Sequence, residues 1–180
     1  IQIMPAPSDL RTRIVLPTPA LIEHDRAFVR SHYAPLGELF GRGEYALPLD
    51  GDLAFLKAMR GAWVATLETM AREIFGANPT ISRFYAASAG VLMLMRLVRL
   101  QGQQPSGWVD IDYSDFGRRF GVSRTHVRSI IMTSVAHEDI EINAQAQLRI
   151  RPNLIAALDR NIAGRMSLLD RAHATAMASL

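Results

Sequence analysis

The chain contains no cysteine, which excludes disulfides, thiolate metal sites and cysteine nucleophiles together. Charge is sparse as well: 21% of the 180 residues are Asp, Glu, Lys or Arg against 49% hydrophobic ones, a balance that argues against disorder and for a buried core. That composition suits one ordinary domain, or a small domain attached to a helical body. Long apolar runs are missing. The longest, Ala86 to Met95 (AASAGVLMLM), is followed by Arg96 and Arg99 and falls well short of the roughly 20 residues a membrane-spanning helix needs. The opening residues, IQIMPAPSDLRTRIVLPTPAL, lack the basic head, apolar stretch and small-residue cleavage site of a signal peptide. No export is implied, and a cytoplasmic location is the expectation.

Lysine is almost absent, since Lys57 is the one basic residue that is not arginine. The planar guanidinium suits phosphate and guanine contacts, although a high-GC coding bias produces the same excess. The charge is unevenly placed. Residues 1–80 hold 8 basic and 9 acidic side chains (8 − 9 = −1), whereas residues 81–180 hold 12 and 8 (12 − 8 = +4), so the positive end is the C-terminal half.

Most prolines lie before residue 80, and Pro5, Pro7, Pro17 and Pro19 mark an N-terminal arm that cannot be continuous helix or central strand and is expected to wrap over something. Ala20 to Phe40 reads as a helix with Leu21, Phe28, Leu36 and Phe40 on one side and a bend near Pro35. GRGEYALPLDGD reads as a loop. Asp52 is placed to cap a second helix, in which Leu53, Leu56, Met59, Trp63, Leu67, Met70 and Ile74 recur at three and four residues before Gly76. A third helix is expected from Ser82 to Leu100, apolar on nearly all sides and therefore central.

After QGQQPSG the texture changes. Trp108 to Tyr113 (WVDIDY) alternates like a short strand with Val109, Ile111 and Tyr113 on one face, and Ser114 is the expected cap of the helix that follows. In DIEINAQAQLRIRP, Ile140, Ile142, Leu148 and Ile150 alternate with polar residues around NAQA, which predicts a hairpin. Pro152 then opens a last helix whose Ile155, Leu158, Ile162, Leu169, Ala172 and Ala176 approximate a heptad seam.

Chemistry finds little support. His24 and His32 are eight residues apart, about 12 Å along a helix and too far for one ion, while His137 to Asp139 (HED) reads as a helix end. No Ser, His and Asp stand in a nucleophile-elbow context, and no carboxylate pair lies beside an aromatic strip. Catalytic residues, metal and cofactor are therefore not expected, and the chain does not read as an enzyme. Met59, Trp63, Met70, Met93 and Met95 suit either an effector pocket for a small molecule or core packing, and core packing is the expectation.

The most informative stretch is DFGRRFGVSRTHVRSII, Asp115 to Ile131. It is not a phosphate-cradling loop, because Gly117 and Gly121 are separated by RRF with no lysine near. Nor is it only a solvated basic face: Phe116, Phe120, Val122, Val127, Ile130 and Ile131 form an inward set spanning two segments. Two short helices joined at Gly121 satisfy it, with Gly117 small where the elements cross, Gly121 tolerating positive φ, and Ser123 capping the second helix. Arg124, Thr125, Arg128, Ser129 and Met132 then share the outward face, opposite Val127, Ile130 and Ser134.

This stretch resembles the helix-turn-helix of bacterial transcription regulators at its spaced small and apolar positions. The order of elements from Ser82 to Arg151 is similar to the winged helix-turn-helix of the multiple antibiotic resistance and GntR-type regulators. The resemblance implies a mainly α fold with a small β-hairpin wing and extra N- and C-terminal helices. Residues 1–80 would be an arm and helical region, 81–152 the DNA-binding domain, and 153–180 a helix for homodimerisation. It implies a sequence-specific transcriptional regulator of double-stranded DNA. Arg124, Thr125 and Arg128 would reach base edges, with Ser129 beside them; Ser114, Arg118, Ser123, Arg149 and Arg151 would position the backbone, and His126 would pack on the first helix or a phosphate. The hairpin tip lacks the Arg or Lys that many such wings insert into the minor groove. A winged helix that docks protein instead of DNA is the competing expectation.

Overall fold

The structure, a computed structural model, describes residues 1–7 and 9–180. It is mainly α-helical with two separate two-stranded antiparallel sheets. The chain divides into two compact units, one of Ile1–Leu67 with Met166–Leu180 and the other of Glu68–Arg165. The second unit therefore extends past the 81–152 region at both ends.

In the first unit, β1 (Gln2–Ala6) and β2 (Asp9–Leu16) pair as a ribbon that places Ile3 opposite Val15 and Met4 opposite Ile14. The proline-rich arm is thus a hairpin in which Ile1, Ile3, Met4, Ile14, Val15 and Leu16 are exposed and Ala6 is buried, not a wrapping segment; a two-stranded ribbon tolerates Pro5 as a central strand would not. Helix α1 (Pro19–Phe40) starts at Thr18, whose hydroxyl accepts the Leu21 N–H at 3.3 Å, and continues through Pro35. Its buried face is Val29, Tyr33 and Leu36, while Leu21, Phe28 and Phe40 are at least 40% exposed. The expected face is corrected by about a quarter turn, because Tyr33 finds a hydroxyl partner inside, the Leu169 carbonyl at 3.0 Å.

The expected loop after Phe40 contains a short helix, α2 (Ala46–Asp50), that buries Pro48 and Leu49. Helix α3 (Leu53–Met70) begins as expected, with the Asp52 carboxylate accepting the Phe55 N–H at 2.8 Å, and ends in a π-helical turn, Ala71–Gly76. Its Phe55, Leu56 and Met59 are buried, whereas Leu53 is 53% exposed; the side chains of Leu67 and Met70 lie outside the described residues. The imidazole of His173 sits among the rings of Tyr33, Tyr45 and Phe55, with centroids 4.9 to 5.9 Å away.

In the second unit the expected single helix from Ser82 to Leu100 is two. Helix α4 (Pro79–Ala86) and helix α5 (Gly90–Gly102) meet at a bend of 115°, with Ala89 at φ 56° between them. Among the described residues no single helix is long and apolar enough to cross a membrane. Met93, Leu94 and Leu97 of α5 are buried, but Leu92 and Met95 are exposed, so α5 is one-sided rather than central. Met59 and Met93 are core residues, as expected.

The core of this unit gathers Phe84, Leu94 and Leu97 with Phe116, Val127, Ile131, Ile140, Leu148, Ile150 and Leu154. Its last element, α8 (Pro152–Met177), buries Leu154, Ala157 and Leu158 before the unit boundary and Leu168, Leu169, Ala172 and Ala176 after it. Most of the heptad seam is thus used within the chain, leaving Ile162 40% exposed.

Candidate nucleic-acid interface

Helices α6 (Tyr113–Phe120) and α7 (Arg124–Ala136) form the centre of the site. The expected strand from Trp108 shrinks to one bridge, in which Val109 and Leu148 exchange both backbone hydrogen bonds at 2.8 Å. Tyr113 already belongs to α6, and its cap is Asp112, not Ser114: the Asp112 carboxylate accepts the N–H of Ser114 at 2.6 Å and of Asp115 at 3.1 Å. Asp satisfies two of the helix's free donors where a serine hydroxyl satisfies one. These bonds, with Arg124 and Arg118 nearby, hold the Asp112 carboxyl below the usual carboxylate range.

The turn obeys the stereochemistry read from the sequence. Gly121 has φ 68° and closes α6, with the Val122 N–H donating to the Gly117 carbonyl at 2.9 Å. A Cβ on Gly117 would lie 2.6 Å from the Val122 carbonyl oxygen, so the turn folds back directly onto this position. Ser123 then caps α7, its Oγ accepting the His126 N–H at 3.1 Å. Phe116, Val127 and Ile131 are buried between the helices, and Phe120, Val122 and Ile130 pack against them.

Arg124, Thr125, Arg128, Ser129 and Met132 are exposed on α7. Among the described residues no carboxylate lies within salt-bridge reach of Arg119, Arg124 or Arg128. The remaining basic candidates are engaged. Arg118 is ion-paired with Asp115 one turn back. His126 is directed to the α4–α5 bend, where its Nε2 lies 2.9 Å from the Ser88 carbonyl. Ser114 is exposed on the first turn of α6.

Strands β3 (Ile140–Ile142) and β4 (Leu148–Ile150) form the expected hairpin in register Ile140↔Ile150 and Ile142↔Leu148. Asn143 organises its tip, the side-chain oxygen accepting the N–H of Gln145 at 3.0 Å and of Gln147 at 2.9 Å. At the base, Glu141 pairs with Arg149 across the strands, and its second oxygen lies 4.0 Å from Arg151. The Arg149 guanidinium also lies over the Trp108 ring, 4.4 Å from its centroid. The hydrogen bond from Arg149 holds the Glu141 carboxyl below its ordinary range.

Three contributors were not anticipated from the sequence: Asp112, Glu141 and Asp139. His137 to Asp139 does end α7, with Glu138 at φ 56°, but Asp139 is buried and accepts from Arg83 at 2.6 Å and Asn153 at 3.1 Å. It joins α4, the end of α7 and the start of α8. A hollow of about 520 Å³ beside α7 is lined by Asp110, Asp112, Ser114 and Arg124, so acid and base share that end of the site. No family model, curated protein or solved structure matches the chain.

Proposed function

We propose that the second unit is a winged helix-turn-helix that binds double-stranded DNA through α7, in a homodimeric transcriptional regulator working in the cytoplasm. One observation carries this reading: Arg124 and Arg128 are exposed on α7 and, among the described residues, make no salt bridge, on a helix whose orientation the Gly117 and Gly121 backbone prescribes. Arginine charge held in no salt bridge, on a capped helix with free N-terminal N–H groups, suits a phosphate-lined groove. Arg124, Thr125 and Arg128 are the residues for base edges, with Ser129 at their margin. Arg118, Arg149 and Arg151 take a lesser part, because each must leave or share an acidic partner to meet a phosphate.

The mechanism is binding without chemistry. If two to four phosphates are neutralised per subunit, log affinity falls with log salt at a slope of roughly −2 to −4 per subunit. Titration of random duplex at several salt concentrations tests this, and a flat response sinks the reading. Arg128→Ala is expected to weaken binding to a selected site by roughly 1–3 kcal/mol more than binding to random duplex if it reads a base; equal loss on both makes it a phosphate contact.

A second reading, a winged helix that docks a protein, draws on Glu141 engaging both hairpin arginines and on Asp110 and Asp112 beside Arg124. The flat salt response that ends the first reading is the result this one expects.

A further inference from the structure

We infer that the hollow between the opening turns of α1 and α3, within the first unit, binds an aliphatic monocarboxylate, its chain against leucine and isoleucine and its head group at Lys57 and Arg60. The hollow measures about 590 Å³, inside the roughly 300–1,000 Å³ typical of small-molecule sites. Pro17, Leu21 and Ile22 line it from the α1 side, and Leu53 and Leu56 from the α3 side. Residues three and four apart share a helix face, so Leu53, Leu56, Lys57 and Arg60 form one stripe of α3, while Asp25 continues the stripe of Leu21 and Ile22 on α1. Both stripes begin apolar and end charged. An ion pair between Asp25 and Arg60 joins the two charged ends, so the hollow is aliphatic at one end and ionic at the other.

The charges select the ligand. Among the described residues Arg60 is paired with Asp25, and Lys57 makes no salt bridge. Two cations and one carboxylate line the hollow (2 − 1 = +1), so a single carboxylate balances the site and a cation is repelled. The ion pair occupies one Nη of Arg60, and a guanidinium carries five N–H donors in its fork. Burial pushes Arg60 below its ordinary range; in such partly dry surroundings an added anion is attracted more strongly than in water. At the aliphatic end Leu21 and Leu53 are 40% and 53% exposed, and an alkyl chain lying between them takes that surface out of solvent. Each methylene so buried adds up to about fourfold in affinity. This site belongs to the first unit and is independent of the DNA-binding reading, so the failure of either leaves the other standing.

Isothermal titration calorimetry of the full chain with butanoate, hexanoate, octanoate and decanoate, all below their micelle concentrations, is the experiment. One saturable site per chain is expected, tightening with chain length, with decanol weaker than decanoate and decyltrimethylammonium weaker still. Lys57→Gln should weaken decanoate by roughly two- to fivefold, as an exposed ion pair allows, and leave decanol unchanged. Lys57→Glu should invert the preference toward decyltrimethylammonium. Leu53→Asn should weaken decanoate and decanol alike, by about tenfold, with unchanged far-ultraviolet circular dichroism. Leu39→Asn, at an exposed leucine of α1 outside the hollow, should change neither. The inference is overturned if decanoate shows no saturable site, if decyltrimethylammonium binds the wild type as tightly as decanoate, or if Leu39→Asn weakens binding as much as Leu53→Asn. Co-sedimentation with phosphatidylglycerol vesicles that Leu53→Asn abolishes, without a saturable decanoate site, assigns the stripe to a membrane surface and refutes the ligand site.

Discussion

Replacing Gly117 with alanine tests whether the turn between α6 and α7 is fixed by backbone contact. Inside an exposed helix the change normally stabilises by about 0.8–1.0 kcal/mol, through lower backbone entropy in the unfolded chain. Here the new methyl would sit 2.6 Å from the Val122 carbonyl oxygen, 3.3 Å from the Ser123 carbonyl carbon and 3.4 Å from the Arg124 nitrogen. These are backbone atoms of the turn itself, so relief requires moving the first residue of α7. Overpacking of this kind costs about 1–3 kcal/mol, which cancels or outweighs the propensity gain and leaves a net loss of up to about 2 kcal/mol. For a unit of this size the loss lowers Tm by up to roughly 15 °C. Gly61 is the control: it lies within α3 and a Cβ there meets nothing within 4 Å, so Gly61→Ala should stabilise by up to about 1 kcal/mol. Thermal unfolding followed by circular dichroism, with hydrogen exchange of the α6 and α7 amides to locate the effect, measures both. If Gly117→Ala raises Tm as Gly61→Ala does, the close approach is not a constraint and the fixed-turn argument fails.

Asp139→Ala should cost about 2–3 kcal/mol, because it leaves Arg83 and Asn153 without their shared acceptor, discounted for the one-third exposure of Arg83; a urea midpoint within error of wild type would show the pair to be incidental. Burial among aromatic rings pushes the His173 imidazole below its ordinary value, against the opposing pull of Asp170 and Glu44. The fold thus favours the neutral ring, and its contribution is present above the ordinary histidine range and lost as pH falls through it. His173→Phe should flatten that acid limb in a series of denaturation midpoints, and an unchanged pH dependence would place the sensitivity elsewhere.

Where a structural rule is local, the sequence was a sufficient guide. Gly121 needs only its own φ, Ser123 and Asp52 need only an N–H three residues on, and the hairpin around NAQA follows from alternation. What escaped reading depends on neighbours distant in sequence. Nothing in AASAG announces that Ala89 adopts φ 56° and turns the chain by 115°, since an alanine-rich run reads as helix until packing bends it. The inward face of α1 falls on Tyr33 rather than Phe28 because the tyrosine hydroxyl reaches the Leu169 carbonyl. At the candidate interface the limit is sharper. Arg149 and Arg151 read as available charge until the register of β3 against β4 brings Glu141 to both, which is why the residues to mutate are on α7 and not on the hairpin.

One side chain closes an opening that the hairpin would otherwise leave. On the side of β4 away from β3, Leu148 exchanges its backbone bonds with Val109, and Ile150 gives its N–H to the Gln101 amide oxygen at 2.6 Å while accepting the amide N–H at 3.3 Å. Gln101 imitates a strand residue, so this margin offers no unpaired backbone on which a foreign chain could extend the sheet. Strand addition and templated aggregation are shut out along β4, and any molecule recruited there has to be recognised through side chains, whose identity evolution can change without disturbing the fold.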